Sequence, residues 1–149
     1  MIDYLLGFVQ AHPMVSLALL FIAFRIYSMF SLKEEVIEGS RVVTVDKEDE
    51  LKNQLNDNKI VVIDFYADWC PGCVRSSPEF ARMSKRYTNV RFLKINTDIA
   101  RSIASAHAIQ ALPTFKIISH KKEIASIVGF DKGDLISKLE TAGGVSISG

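Results

Sequence analysis

Two residues of this chain, Cys70 and Cys73, are its whole complement of cysteine, and only Pro71 and Gly72 separate them. A single Cys-x-x-Cys in a chain of this length reads first as redox chemistry and second as half a metal site. A secreted domain stapled by disulfides would need more cysteines at wider spacing. Disulfide exchange requires a thiolate that attacks and a second thiol that resolves the mixed disulfide. A helix opening at Cys70 would supply both. Its free N–H groups and positive dipole end favour S⁻ at Cys70, and Cys73 follows one turn on. Pro71 suits the first helical position, where its missing N–H costs nothing, and Gly72 loosens the turn behind it.

These residues need a scaffold, and the hydrophobic period describes one. Arg41–Val45 is a short β-branched run and predicts a strand. Asp46 is placed to cap a helix carrying Leu51 and Leu55 at i, i+4. Ile60 to Tyr66 is apolar apart from Asp64, the pattern of a strand buried on both faces. After the cysteines comes a helix with Phe80, Met83 and Tyr87 in its stripe, then a strand over Val90 to Asn96. Asp98 is placed to cap a short helix with Ile99 and Ile103 on one side. Thr114–Ser119 and Glu123–Val128 flank His120-Lys121-Lys122 as a hairpin, and Asp131 caps a last helix. The order β-α-β-α-β-α-β-β-α predicts an α/β fold with a mixed central sheet and helices on both faces.

The N-terminus has a different character. Tyr4 to Phe24 carries no fixed charge and, as a helix, reaches ~31 Å, matching a hydrocarbon core of ~30 Å. The expectation is an N-terminal transmembrane helix within residues 1–30, a charged linker over 31–40, the catalytic domain over 41–140, and a frayed tail over 141–149. Arg25, Lys33 and Arg41 follow the span, so the positive-inside rule places the domain on the cytosolic side. The anchor resembles signal anchors of the outer mitochondrial membrane, with the ER or another endomembrane as the alternative.

The motif Val62-Ile-Asp-Phe-Tyr-Ala-Asp-Trp-Cys-Pro-Gly-Cys73, followed by Leu112-Pro-Thr114, resembles the thioredoxin family, as does the element order. The resemblance extends from Arg41 to Glu140 and includes Asp64, Pro78, Lys94, Pro113 and Gly129. It implies the thioredoxin fold and a thioredoxin-type protein-disulfide oxidoreductase that cycles a redox-active Cys70–Cys73 disulfide with no bound cofactor and no metal. By the same resemblance Cys70 is the nucleophile, Cys73 resolves, and Asp64 trades protons with Cys73. Lys94 steadies the charge of Asp64, whose burial in an apolar strand favours the protonated acid. Pro113 resembles the family's cis-proline, with Leu112 before it offering backbone to an extended substrate and Trp69 completing an apolar collar. Four positions depart from the pattern. Pro71-Gly72 reverses the usual Gly-Pro and is similar to glutaredoxins and tryparedoxins in its proline. Tyr66 stands where tryptophan is common, and Val74 where Lys or Arg is usual. The dipeptide and Lys94 are therefore expected to tune the thiol chemistry.

The expected partners are disulfide-containing proteins and a thioredoxin reductase or other dithiol donor. A net charge of +1 leaves no polyanion-binding surface, so nucleic acid is not among them. Three rival readings share these residues: a disulfide oxidase or isomerase in an oxidising lumen, an Fe–S or metal-binding protein completed by dimerisation, and a scaffold that keeps only the fold.

Overall fold

The computed structural model describes residues 13–30 and 37–147. The chain divides into two compact units, Met1–Lys33 and Glu34–Gly149.

The first unit contains helix α1, Pro13–Phe30. The expected anchor, and with it the membrane location and cytosolic-facing domain, is corrected here. Among the described residues no helix is long and apolar enough to cross a membrane. The physical reason lies in the arithmetic of the helix. Its uncharged part, Pro13 to Phe24, rises only ~18 Å before Arg25, well short of a ~30 Å hydrocarbon core. The part of the expected span from Tyr4 to His12, and positions 31–36 of the expected linker, lie outside the described residues.

The second unit holds β1 (Val43–Thr44), α2 (Glu48–Asp57), β2 (Ile60–Tyr66), α3 (Pro71–Arg86), β3 (Arg91–Asn96), α4 (Arg101–Ala106), β4 (Thr114–Ser119), β5 (Lys122–Val128) and α5 (Lys132–Thr141). The expected order of elements is the observed one. The sheet runs β1-β3-β2-β4-β5. β3 pairs parallel with β1 and β2, whereas β4 pairs antiparallel with β2 and β5. β2 therefore has neighbours on both edges and is buried along its length except at Tyr66.

Strand alternation sorts the side chains into two cores. Ile60 and Val62 face a core closed by α3 and α5, with Phe80, Met83, Phe92, Phe115, Leu135 and Leu139. Val61, Ile63 and Phe65 face the opposite core, closed by α2 and α4 through Leu51 and Ile103. Phe80 anchors α3 to the sheet, its ring 5.1 Å from Phe92 and 5.5 Å from Phe115. Burying such a ring contributes roughly 1.5–3 kcal/mol. Asp64 shares the side of Ile60 and Val62, so it points at the layer containing α3.

Several local expectations change. β1 is two residues long rather than five. As an edge strand it pairs only with β3, and the Arg41 N–H is taken by Ser84 Oγ at 2.9 Å. Lys47 rather than Asp46 is the N-cap of α2, with no side-chain cap bond, and Ala100 rather than Asp98 opens α4. Asp131 does cap α5, accepting the Asp134 N–H at 2.9 Å. The β4–β5 turn is tighter than expected. His120 and Lys121 both have positive φ, 50° and 67°, the conformation a two-residue hairpin demands. From 141 onward, Val145 N–H bonds Asn89 Oδ1 and Ile147 N–H bonds the Arg86 carbonyl, both at 2.9 Å.

Candidate active site

Helix α3 begins where the chain leaves β2 and turns through Ala67–Trp69. Cys70 is its N-cap, with φ −86° and ψ 109°, and Pro71 takes the first helical position. The two residue types enforce that geometry. A residue before proline is driven out of the α region, which an N-cap requires, and proline's fixed φ starts the helix. Cys70 Sγ accepts a hydrogen bond from the Cys73 N–H at 3.2 Å. One of the helix's orphan donors is thus satisfied by sulfur rather than by a hydroxyl or carboxylate. Cys70 and Cys73 are joined as a disulfide, with Cα atoms 5.3 Å apart. Both are nearly buried, packed with Ala67 and against Tyr66 and Leu112.

Cys70 borders a groove of about 610 Å³ lined also by Trp69, Gly72, Arg75, Ile109 and Leu112. Its two lips come from distant parts of the chain. One is the start of α3. The other is the loop after α4, which ends in the cis Leu112–Pro113 bond. Pro113 is buried, and its carbonyl accepts the Gly129 N–H at 2.8 Å, which ties the loop to the end of β5. The lips meet at Gly72, where an added Cβ would lie 3.1 Å from Pro113 Cδ. Trp69 is 57% exposed, and its indole N–H donates to Asp98 Oδ2 at 2.8 Å. The Asp98 that was expected to cap α4 instead braces the tryptophan. Asn96 holds that turn in place, accepting the Asp98 N–H at 2.9 Å.

Behind the sulfurs lies a polar interior. Asp64 is fully buried on β2, and its Cα partner on β3 is Lys94. Lys94 is 7% exposed, not a solvated strand-end lysine. Its ammonium donates to Ser77 Oγ at 3.0 Å and lies 4.2 Å from the centroid of the Tyr66 ring. Cys73, Ser76, Ser77 and Phe80 form the buried stripe of the first half of α3. Cys73, Asp64 and Lys94 thus face the same layer between α3 and the sheet.

Sequence reading missed Ser77, Asp98 and Arg75. Serine and aspartate carry no signal for a tertiary partner, and Arg75 follows the motif without belonging to it. His107 is half-buried at the C-cap of α4, its ring 5.4 Å from Phe65. Burial pushes its pKa below the usual imidazole value, and the Lys116 charge adds to that. Among the described residues there is no group of three or more His, Cys, Asp or Glu able to hold a metal ion.

This geometry has close parallels. A family model for thioredoxin matches residues 42–141. Thioredoxin H1 of Arabidopsis thaliana is 41% identical over 97 residues, covering 64% of this chain and 85% of the relative. Thioredoxin H5 of the same plant is 37% identical over 100 residues, covering 67% and 85%. A peptide-N(4)-(N-acetyl-beta-glucosaminyl)asparagine amidase of Caenorhabditis briggsae is 37% identical over 90 residues. That match is 60% of this chain, yet this chain spans only 15% of the amidase. Among solved structures, thioredoxin NaTrxh from Nicotiana alata superposes with a TM-score of 0.68 at 33% identity, covering 72% of this chain and 97% of the other.

Proposed function

The chain belongs to the thioredoxin family and is a thioredoxin-type protein-disulfide oxidoreductase, and from that premise we propose that it works as a reductase of protein disulfides. The observation that carries this reading is the placement of Cys70 Sγ. It sits at the N-terminus of a 16-residue helix, accepts the Cys73 N–H, and borders the open groove. A thiolate there is stabilised by the helix end and meets a substrate disulfide directly.

In the reduced form the Cys70 thiolate attacks one sulfur of the substrate disulfide. The substrate's S–S bond breaks, a Cys70–substrate bond forms, and one substrate thiolate leaves and takes a proton. Cys73 then loses its proton and attacks Cys70 Sγ. The internal disulfide forms, the second substrate thiolate departs and is protonated, and two electrons have passed from the cysteine pair to the substrate. A dithiol donor or a thioredoxin reductase returns them.

Each of the other site residues has a part in this cycle. Asp64 accepts the Cys73 proton in the second step, because it is the carboxyl buried in the layer that Cys73 faces. Lys94 holds positive charge beside it. Leu112 and Pro113 align an extended substrate segment along the groove, and Trp69 packs on it. Pro71 and Gly72 set the geometry of the first turn and so tune the sulfur chemistry.

Trapping tests the reading. With Cys73→Ser, a peptide or protein disulfide should remain covalently held on Cys70, released by added dithiothreitol and visible by mass. Wild-type chain should release the reduced peptide without such a trap. If Cys73→Ser accumulates no adduct while Cys70 is free and reduced, the nucleophile–resolver assignment is wrong.

A further inference from the structure

We propose that Ser77 is a positioning residue for the resolving half-reaction and acts through Lys94; this deepens the reading above and rests on it. Two neighbouring serines on α3 make the contrast. Ser76 Oγ turns back to its own helix and donates to the Cys73 carbonyl at 3.0 Å, the local bond a helical serine makes by default. Ser77 Oγ reaches across to β3, where it accepts from Lys94 Nζ at 3.0 Å. Both partners are nearly buried, Ser77 at 3% and Lys94 at 7% exposure.

The position of Ser77 gives that bond its consequence. It lies four residues after Cys73 on the buried stripe of α3, so the two side chains are neighbours, ~5–6 Å apart at Cβ. From the sheet, Lys94 and Asp64 are Cα partners on adjacent strands ~4.8 Å apart. Ser77 thus fixes the ammonium in the layer between α3 and the sheet that Asp64 and Cys73 also face. Tyr66 supplies the second wall, its ring 4.2 Å from Nζ. A lysine stem has four rotatable bonds, and a fixed acceptor narrows the set of rotamers its head can take. A hydroxyl is neutral, so it orients the charge without cancelling it. In the low-dielectric layer that charge favours the Asp64 carboxylate that waits for the proton and then the Cys73 thiolate left once the proton has moved.

Single-turnover release of a fluorescent peptide from a preformed Cys70–peptide disulfide, followed across pH, tests this on the full chain. Ser77→Ala should move the pH midpoint of release to alkaline pH by about one unit, a tenfold slowing at fixed pH below it. The initial attack of Cys70 on the peptide disulfide should change by less than about twofold, since the midpoint alone depends on the pinned charge. Ser77→Thr, which keeps the hydroxyl, should restore the midpoint. Lys94→Met alone should give the same alkaline shift, and Ser77→Ala should add nothing in that background. An unchanged midpoint in Ser77→Ala overturns the proposal, as does a full Ser77→Ala effect in the absence of Lys94. Should Ser77→Ala fail to fold, an unchanged midpoint in Lys94→Met overturns it equally. If Cys73→Ser forms no Cys70–peptide disulfide at all, the function reading fails instead.

Discussion

Two lysines are buried in this sheet, on opposite faces, and they are solved differently. Lys116 on β4 is 8% exposed and meets Glu123 of β5 at 2.8 Å. Its charge is answered by a carboxylate across the hairpin that is itself 41% exposed at the side chain. Lys94 on β3 is 7% exposed and meets a serine hydroxyl and an aromatic face, beside Asp64 in register and over the stripe that carries Cys73. The first arrangement neutralises a charge within a hairpin. The second holds a charge in the layer that Asp64 and Cys73 face, where the proposed resolving step would take place. Burial alone would not distinguish a structural lysine from the chemical one proposed at Lys94; the partners are what differ.

The comparison is broken most directly at Asp64. Asp64→Asn keeps the shape and removes the proposed proton acceptor, so release of the mixed disulfide should slow about 100-fold while its formation changes little. Equal losses in both steps, measured by stopped flow, would remove Asp64 from the resolving chemistry. Gly72→Ala probes the lips of the groove instead of the interior. Its Cβ would lie 3.1 Å from Pro113 Cδ, so helix and loop must part by a few tenths of an ångström. A loss of about 1 kcal/mol in stability and about fivefold in kcat/KM is expected, with the pH midpoint of release unmoved. Denaturant melts and steady-state rates with a peptide disulfide check it.

Lys116→Met removes the charge on the structural side. Because Glu123 is well hydrated, the cost should stay below about 1 kcal/mol, and turnover should match wild type. A turnover defect there would erase the distinction between the two lysines. The smallest effect is at His107, whose pKa is lowered first by burial and then by Lys116, with Glu123 opposing. An imidazole held below its unfolded value leaves the unfolded chain binding more protons. Stability should therefore be unaffected well above the ordinary histidine pKa, about 6.5, and should fall as pH drops through it and on toward the depressed value. In Lys116→Met the His107 midpoint should rise toward the ordinary value in an NMR titration, narrowing that window.

The sequence carried the catalytic pair, the order of elements and the apolar stripes, because each depends on spacing along the chain. Cys70, Pro71 and Cys73 determine a helix start whatever surrounds them, and the runs at Ile60–Tyr66 and Phe80–Tyr87 determine which faces are buried. It also suggested a membrane span, whereas among the described residues no helix is long and apolar enough to cross a membrane, and Arg25 interrupts the uncharged run of α1. Tertiary structure alone decided the strand order, which brings Asp64 beside Lys94. It also turned Asp98 from a cap into a brace for Trp69, and it gave Ser77 a partner 17 positions away. The reason is physical. A period reports which side of an element faces inward, whereas a hydrogen bond depends on which other element has been packed there, and short polar side chains hold no record of that choice.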